Sequence, residues 1–274
     1  IDRSRGLGDV YKRQLFLLVP RIPPLWTTQL GPARGAVTGL SPDLDPLSIA
    51  TLASVDTSAA RMTVAQGVVI PDDAYWRVLV HETFDGRRWR HRDSPEPPTS
   101  VRDVRSTAPI SQWWVVEPSA TRALPWDGSS APVAADQWIA SEGELLMNVA
   151  SRQRRAYRLQ AAGNTQDWRR RPPLASERQL PAVGFPRLRQ LGEGFRSLPS
   201  DRERLTAVEE WFRSQPFQYS LQPGSALDLD DFLFDRQLGF CGHYSSALAA
   251  LLRSADVPAR VVSGYRGGRL VTPL

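Results

Sequence analysis

The chain of 274 residues contains one cysteine, Cys241, at a position that favours nucleophilic chemistry. Apolar spacing after it predicts a helix over residues 241–254. A helix N-terminus has unpaired N–H groups and a partial positive charge, which favour a thiolate. Gly239 and Gly242 permit a sharp turn and the close approach of a substrate. Cys241 is therefore a candidate nucleophile with Gly242 on its oxyanion or substrate side, but a lone cysteine is also often structural.

A cysteine nucleophile needs a group that moves protons, and the chain has three histidines. General acid–base catalysis contributes about 10²–10⁴ to a rate, and an oxyanion hole about 10²–10³. His243 follows Cys241 by two residues, and such residues point to opposite sides of a helix. We expect His243 to pack or hydrogen-bond on the far side. His81 and His91 fall in a β-rich region, so the general base is expected outside this chain.

Composition indicates a folded protein without a nucleic-acid partner. Hydrophobic residues make up 41% and charged residues 23% of the chain, which is typical of globular domains. The formal charge is +5, but the arginines are scattered and no nucleic-acid motif is present. One cysteine excludes an internal disulfide and a Cys-based zinc site. Asp228, Asp230, Asp231 and Asp235 lack EF-hand spacing and indicate the start of a short helix instead.

Strand patterns dominate the first half of the chain and predict a β-rich domain over residues 61–165. Residues 75–80, 112–116, 144–149 and 156–160 are rich in aromatic and β-branched side chains. Asp85-Gly86 is a strong hairpin signal between two such runs. Residues 166–186 are rich in proline and arginine and are interpreted as a linker.

Helical spacing begins after the linker and predicts a second domain over residues 187–274. Ser200 and Glu203 form a capping-box pattern before an amphipathic helix that Pro216 ends. Residues 217–221 and 259–265 read as strands on either side of the cysteine helix, and residue 269 starts another strand. The predicted fold class is α+β, with the β-rich domain first.

The N-terminal residues do not resemble the rest of the chain. Residues 1–14 hold the only lysine and no periodicity, and are interpreted as translated adapter sequence from a sequencing artefact. Residues 15–19 are apolar but too few to span a bilayer, which takes about 20. By pattern they fit a strand or the tail of a membrane helix. Residues 15–60 are otherwise an extended, turn-rich linker.

A long motif around Cys241 resembles the transglutaminase core, a papain-like cysteine enzyme superfamily. The motif spans residues 239–247, 251–253 and 257–265: cysteine at a helix start, the helix, a Pro-Ala-Arg turn and a strand ending in Gly-Tyr. The resemblance implies that Cys241 opens a Cys-His-Asp triad whose His and Asp follow beyond Leu274. Relatives often carry an acidic residue in place of Gly242. An upstream aromatic residue supports the oxyanion hole in relatives, which makes Tyr219 a candidate here.

More of the chain is similar to one bacterial branch, the membrane-anchored transglutaminase-like proteins of the TgpA type. The similarity includes residues 15–23, 38–41 and 75–89. It implies that residues 15–19 are the tail of a membrane helix and that residues 187–274 are the N-terminal part of the core. It also implies a bacterial inner-membrane protein with a periplasmic catalytic region, anchored by segments outside this chain.

The expected activity of the full-length protein is acyl transfer through a thioester on Cys241. A protein or peptide with a glutamine-like amide is the expected substrate, an amine or water is the acceptor, and no metal or organic cofactor is required. This chain by itself is expected to be inactive, because the His and Asp of the triad are missing. Two alternatives stay open: a cysteine peptidase or amidase on the same scaffold, and a non-catalytic binding module.

Overall fold

The structure is a computed structural model that describes residues 40–45, 58–92, 109–150, 153–161, 172–224 and 228–268. The predictions for residues 1–14, for residues 15–19 and for a strand starting at residue 269 lie outside these ranges. Within them, no helix is both long and apolar enough to cross a bilayer.

Within the described residues, most of the strands lie in the first half of the chain, and the three α-helices lie in the second half. The strands are β1 (Asp43–Leu44), β2 (Ala60–Val64), β3 (Tyr75–Phe84), β4 (Trp89–His91), β5 (Ile110–Val116), β6 (Ala123–Leu124), β7 (Ala131–Pro132), β8 (Gln137–Ile139), β9 (Leu145–Met147), β10 (Arg155–Gln160), β11 (Gln218–Tyr219), β12 (Leu238–Gly239) and β13 (Val261–Arg266). The helices are α1 (Pro186–Phe195), α2 (Asp201–Ser214) and α3 (Cys241–Ser254), with a 3₁₀ turn at Ala175–Arg178 and a π-helix at Asp231–Arg236.

The predicted β-rich character of the first half is confirmed. One sheet has the order β2-β5-β10-β7, and a smaller sheet has the order β6-β9-β8. Their shared core contains Trp114, Trp126, Leu145, Tyr157 and Leu159, which are all buried. The predicted Asp-Gly hairpin also forms, because β3 and β4 pair antiparallel across a turn in which Gly86 has φ 101°.

A third sheet joins the two halves of the chain. Its order is β1-β4-β3-β13, so strands from the predicted β-rich domain share one sheet with a strand from the predicted core. The register pairs His81 with Val261 and Tyr75 with Arg266. A β-carbon on Gly264 would lie 2.1 Å from the Trp76 carbonyl oxygen, so only glycine permits this pairing. The predicted domain boundaries stay a prediction.

The helices cover one end of this sheet with a second core. The predicted capping box is present, because the Ser200 hydroxyl accepts from the N–H of Glu203 at 3.2 Å. Helix α3 spans the residues that its apolar spacing predicted and buries Ala247 and Leu251, and Ala255 directly after it is also buried. These side chains pack with Phe84 and Trp89 of the sheet and with side chains of α1 and α2.

Residues 172–186, the described part of the predicted linker, are packed against the core. Glu177 is 3% exposed, its carboxylate accepts from the N–H of Leu174, and its backbone carbonyl accepts from the N–H of Ala259. Arg260 also places its Nε 3.4 Å from the Glu177 carboxylate. Proline and arginine content indicated a connector, but these long-range contacts were invisible in a local pattern.

Arg253, near the end of α3, is buried, and all three nitrogens of its guanidinium donate hydrogen bonds. Its guanidinium donates to the carbonyls of Glu82, Gln179 and Ala259 at 2.5–2.9 Å. It also lies 4.7 Å from the centre of the Trp89 ring. Burial lowers the pKa of Arg253 to about 10, which leaves it charged at neutral pH.

Replacing Arg253 with lysine should destabilise the protein by about 2–4 kcal/mol, because an ammonium cannot reach carbonyls in three directions. Urea unfolding of Arg253→Lys against the wild-type chain measures this change. Arg213→Lys is the matched control, since Arg213 forms an exposed pair with Glu209 at 3.1 Å and should change stability by less than about 0.5 kcal/mol. Equal stabilities of the two variants would contradict the role assigned to Arg253.

A buried polar cluster involves residues of β3 and β4 in the third sheet. The Glu144 carboxylate accepts from the N–H of Val80 and lies 3.0 Å from His91 Nε2. His81 is fully buried and places its Nε2 2.9 Å from the Ser263 hydroxyl. Burial, and after it the nearby His91, lowers the pKa of His81 to about 4.

The free energy of unfolding should therefore decrease as the pH is lowered from about 6.5 to about 4. His81 alone should account for up to about 3 kcal/mol of this decrease. In this window the unfolded chain binds a proton on His81 and the native state does not, so protonation favours unfolding. Urea unfolding at pH 7.5, 5.5 and 4.5 of the wild type and of His81→Gln measures the effect. The difference between them should change with pH; a constant difference would contradict the lowered pKa.

Candidate active site

Cys241 occupies the first position of α3 and is exposed. The preceding residue, Phe240, is extended with φ −114° and fully buried, so it fixes the point at which the helix begins. Within the described residues, the N–H groups of Cys241 and Gly242 have no hydrogen-bond acceptor. Cys241 is therefore exposed to solvent at the positive end of the helix dipole, next to two N–H groups that have no acceptor.

The turn before the cysteine is fixed by close packing behind it. A β-carbon on Gly239 would lie 2.6 Å from Phe232 and 2.8 Å from the β-carbon of His243. Only glycine fits there, because both of these neighbours are enclosed in the core. The sequence assigned Gly239 to the sharp turn, and the structure adds that Gly239 makes room for the π-helix.

His243 is turned away from the thiol surface, as the i to i+2 spacing predicted. It is fully buried between Phe232 and Phe240, with ring centres at 5.3 and 4.6 Å. Its Nδ1 accepts from the N–H of Phe240 at 3.5 Å, and its Nε2 is enclosed without a partner among the described residues. Burial lowers the pKa of His243, so it stays neutral at physiological pH.

Tyr219 lies next to the cysteine turn because β11 pairs with β12 in parallel, Tyr219 opposite Gly239. Its ring is 63% exposed and stacks on Tyr244, with ring centres 6.3 Å apart. Tyr244 is three residues after Cys241, on the same face of α3, and its hydroxyl donates to the Gln218 carbonyl at 2.9 Å. The structure therefore brings Tyr219 to this end of α3, where its oxyanion role stays a prediction.

Tyr75, at the start of β3, is a neighbour of the thiol that sequence reasoning missed as a site residue. Burial, together with the charge of a Cys241 thiolate, raises the pKa of Tyr75 to about 12. Its hydroxyl donates to the Val262 carbonyl at 3.1 Å. Tyr75 was noted only in a strand pattern and in the stretch similar to the TgpA branch, because its nearness to Cys241 joins residues far apart in sequence.

The other candidate residues have structural contacts. His81 and His91 contact Ser263 and Glu144 in the polar cluster described above. In the aspartate-rich segment, the predicted short helix is confirmed. The Asp230 carboxylate accepts from the N–H groups of Arg187 and Leu188 at 2.9 and 3.0 Å, so it caps α1. Within the described residues, no group of acidic, histidine or cysteine side chains is arranged to hold a metal ion.

Two family models together cover most of the chain. Residues 14–167 match the TgpA N-terminal domain, and residues 189–272 match the transglutaminase-like superfamily. The chain is 34% identical over 264 residues to a protein-glutamine gamma-glutamyltransferase of Pseudomonas aeruginosa, covering 93% of this chain and 39% of that protein. It is 41% identical over 71 residues to the uncharacterized protein YebA of Bacillus subtilis, covering 24% of this chain and 10% of that protein.

Solved structures support the same relationship. The crystal structure of the periplasmic domain of TgpA from Pseudomonas aeruginosa superposes with a TM-score of 0.71 at 33% identity, covering 85% of this chain and 82% of that one. The same domain bound to ethylmercury gives a TM-score of 0.70 at 30% identity, covering 85% and 84%. This likeness confirms the predicted fold class, a β-rich region followed by a transglutaminase-like core. The chain spans well under half the length of the two curated relatives.

Cys241 should react with iodoacetamide in the folded chain, because its sulfur is exposed, and the label should be absent from Cys241→Ser. His243→Gln should react with the same pH dependence as the wild type, since His243 faces the core and glutamine can still accept from Phe240. Mass spectrometry of timed samples between pH 6 and 9 measures these rates. A pH profile displaced by one unit or more in His243→Gln would show that His243 contacts the thiol.

Proposed function

Because this chain belongs to the TgpA family of the transglutaminase-like superfamily, we propose that Cys241 is the nucleophile of an acyl transfer from glutamine-like amides. One observation carries the proposal: the only cysteine of the chain is exposed at the first position of α3, beside N–H groups without acceptors. A structural cysteine would be expected in the core, among the buried residues.

The proposed reaction has two steps. The Cys241 thiolate adds to the carbonyl carbon of a glutamine side-chain amide, the C–N bond breaks, and the nitrogen leaves as ammonia after taking up a proton. The acyl group is then held as a thioester. A primary amine attacks the same carbon, the C–S bond breaks, and the amine nitrogen gives up a proton to the general base as the new amide forms and the thiolate is regenerated.

The helix start provides the electrostatic part of this chemistry. An oxyanion develops when the thiolate adds to the amide carbonyl, and the N–H groups of Cys241 and Gly242 are free to donate to it. Gly242 has no side chain that would separate the substrate from these donors. Tyr219 is the candidate for a further contact on this side, and the histidines of the described residues are not placed to act as base. We assign that role to a residue outside the described part of the chain.

The relatives support a substrate class and a location for the full-length protein. The Pseudomonas relative is named a protein-glutamine gamma-glutamyltransferase, which favours a protein or peptide as the acyl donor here. The matched crystal structure is that of a periplasmic domain, which favours a periplasmic catalytic region in a membrane-anchored bacterial protein. These assignments concern the full-length protein.

Hydrolysis by the same thioester is a second candidate. The exposure of Cys241 favours it, because water reaches the sulfur surface without a barrier from the described residues. In that reaction water takes the place of the amine, and the product is a free carboxylic acid.

The full-length protein should incorporate dansylcadaverine into a glutamine-containing peptide, and Cys241→Ser should lower the rate by at least about 10³-fold. Product mass and ammonia release, with and without the amine, separate transfer from hydrolysis. Tyr244→Phe is the matched control near the site, because it removes only a bond to the Gln218 carbonyl and should keep the rate within about tenfold. Undiminished turnover in Cys241→Ser would overturn the proposal, and absence of turnover in the wild type would favour the binding module.

A further inference from the structure

A cavity of about 220 Å³ lies in the β-rich region and shares no lining residue with the surroundings of Cys241. It lies between β10 and the residues that connect β7 to β8. We call it the β10 edge groove and define it by Met147 and Tyr157, which are buried, and by Asp136, Gln137, Arg155 and Arg158. Its size and mixed lining suit a short extended chain better than a single ion.

One wall of the groove is an incomplete strand edge. β10 pairs with β5 along residues 155–160, but on its other side it pairs with β7 only at Leu159 and Gln160. The chain leaves this edge after Pro132, and the groove opens where it departs. Within the described residues, the edge from Arg155 to Arg158 therefore has no partner strand. Such an edge presents N–H and C=O groups that can pair with another chain.

A buried side chain at the groove has unused hydrogen-bonding capacity. Gln137 is 6% exposed, its amide forms no hydrogen bond within the described residues, and its Oε1 is enclosed without a donor. Buried amides are nearly always paired, so the Gln137 amide has hydrogen-bonding capacity that a bound chain can fill. The amide can turn over to present either its oxygen or its nitrogen, and a peptide backbone supplies both complements.

Charge at the rim favours an acidic occupant. Arg155 and Arg158 are exposed and have no carboxylate partner within the described residues, whereas Arg154 next to them pairs with Glu117 at 2.8 Å. Asp136 is the one acidic residue of the groove lining. Side chains alternate along a strand, so a chain added beside β10 would place one side chain over buried Tyr157 and the next beside Arg158.

We propose that the β10 edge groove binds an extended peptide segment in which apolar and acidic residues alternate, added as a further strand beside Arg155–Arg158. The peptide backbone pairs with the open edge and with Gln137, an apolar side chain covers Tyr157, and an acidic side chain pairs with Arg158. About four residues fit along this edge, since a strand rises about 3.4 Å per residue. The proposal does not depend on the chemistry at Cys241.

The test uses the full-length protein and a fluorescein-labelled hexapeptide, Thr-Val-Glu-Val-Glu-Thr, with fluorescence anisotropy as the readout. We expect saturable binding that Arg158→Glu weakens by about tenfold or more and Gln137→Leu by about fivefold. Arg61→Glu is the matched control, because Arg61 is an exposed arginine on β2, two strands away, and should change the Kd by less than twofold. A urea-unfolding midpoint equal to that of the wild type shows that each variant is folded.

A second probe separates strand addition from general charge attraction. The same peptide with N-methyl groups on alternate residues keeps its charges but cannot donate along one edge, so it should bind at least about tenfold more weakly. Equal binding of the methylated peptide would overturn the proposal. Equal effects of Arg61→Glu and Arg158→Glu, or no saturable binding by the wild type, would overturn it as well.

Discussion

The buried guanidinium of Arg253 is the contact on which the arrangement around α3 depends. A buried charge is costly unless hydrogen bonds replace its lost water, and here three backbone carbonyls do so. They belong to Glu82 on β3, to Gln179 after the 3₁₀ turn and to Ala259 before β13. One side chain therefore joins the C-terminal end of the cysteine helix to two segments that are distant in sequence and to the turn before β13.

The other end of the same helix is fixed by packing instead of charge. Phe232, Phe240 and His243 form a buried cluster behind the cysteine turn. This cluster leaves no space for a side chain at position 239, where the chain has Gly239. Because both ends are held, the direction in which Cys241 points is set by the core and not by the surface. Such support on rigid elements is what a catalytic nucleophile requires.

The two regions matched by separate family models are not independent in this fold. Strands β3 and β4 lie in the range of the TgpA N-terminal domain, yet β3 pairs with β13, and Phe84 and Trp89 share a core with α3. The Trp89 indole N–H donates to the Ser246 hydroxyl at 2.7 Å, less than two turns of helix after Cys241. The β-rich region thus supplies part of the support for the cysteine helix.

The sequence by itself determined the local elements and the candidate nucleophile. Apolar spacing located α3 to the residue, the Ser200–Glu203 pair located the start of α2, and the i to i+2 spacing separated His243 from the thiol. Each of these follows from interactions within a few residues of chain. The motif around Cys241 also indicated the superfamily that the comparisons show.

Only the tertiary structure decided what surrounds those elements. Three features join residues separated by more than 70 positions: the nearness of Tyr75 to Cys241, the hydrogen bond between Glu177 and Ala259, and the contacts of Arg253 with Glu82 and Gln179. No local period encodes such pairs, because they depend on strand order and on which faces bury together. The sequence therefore specified the candidate nucleophile, and the folded chain specified its environment.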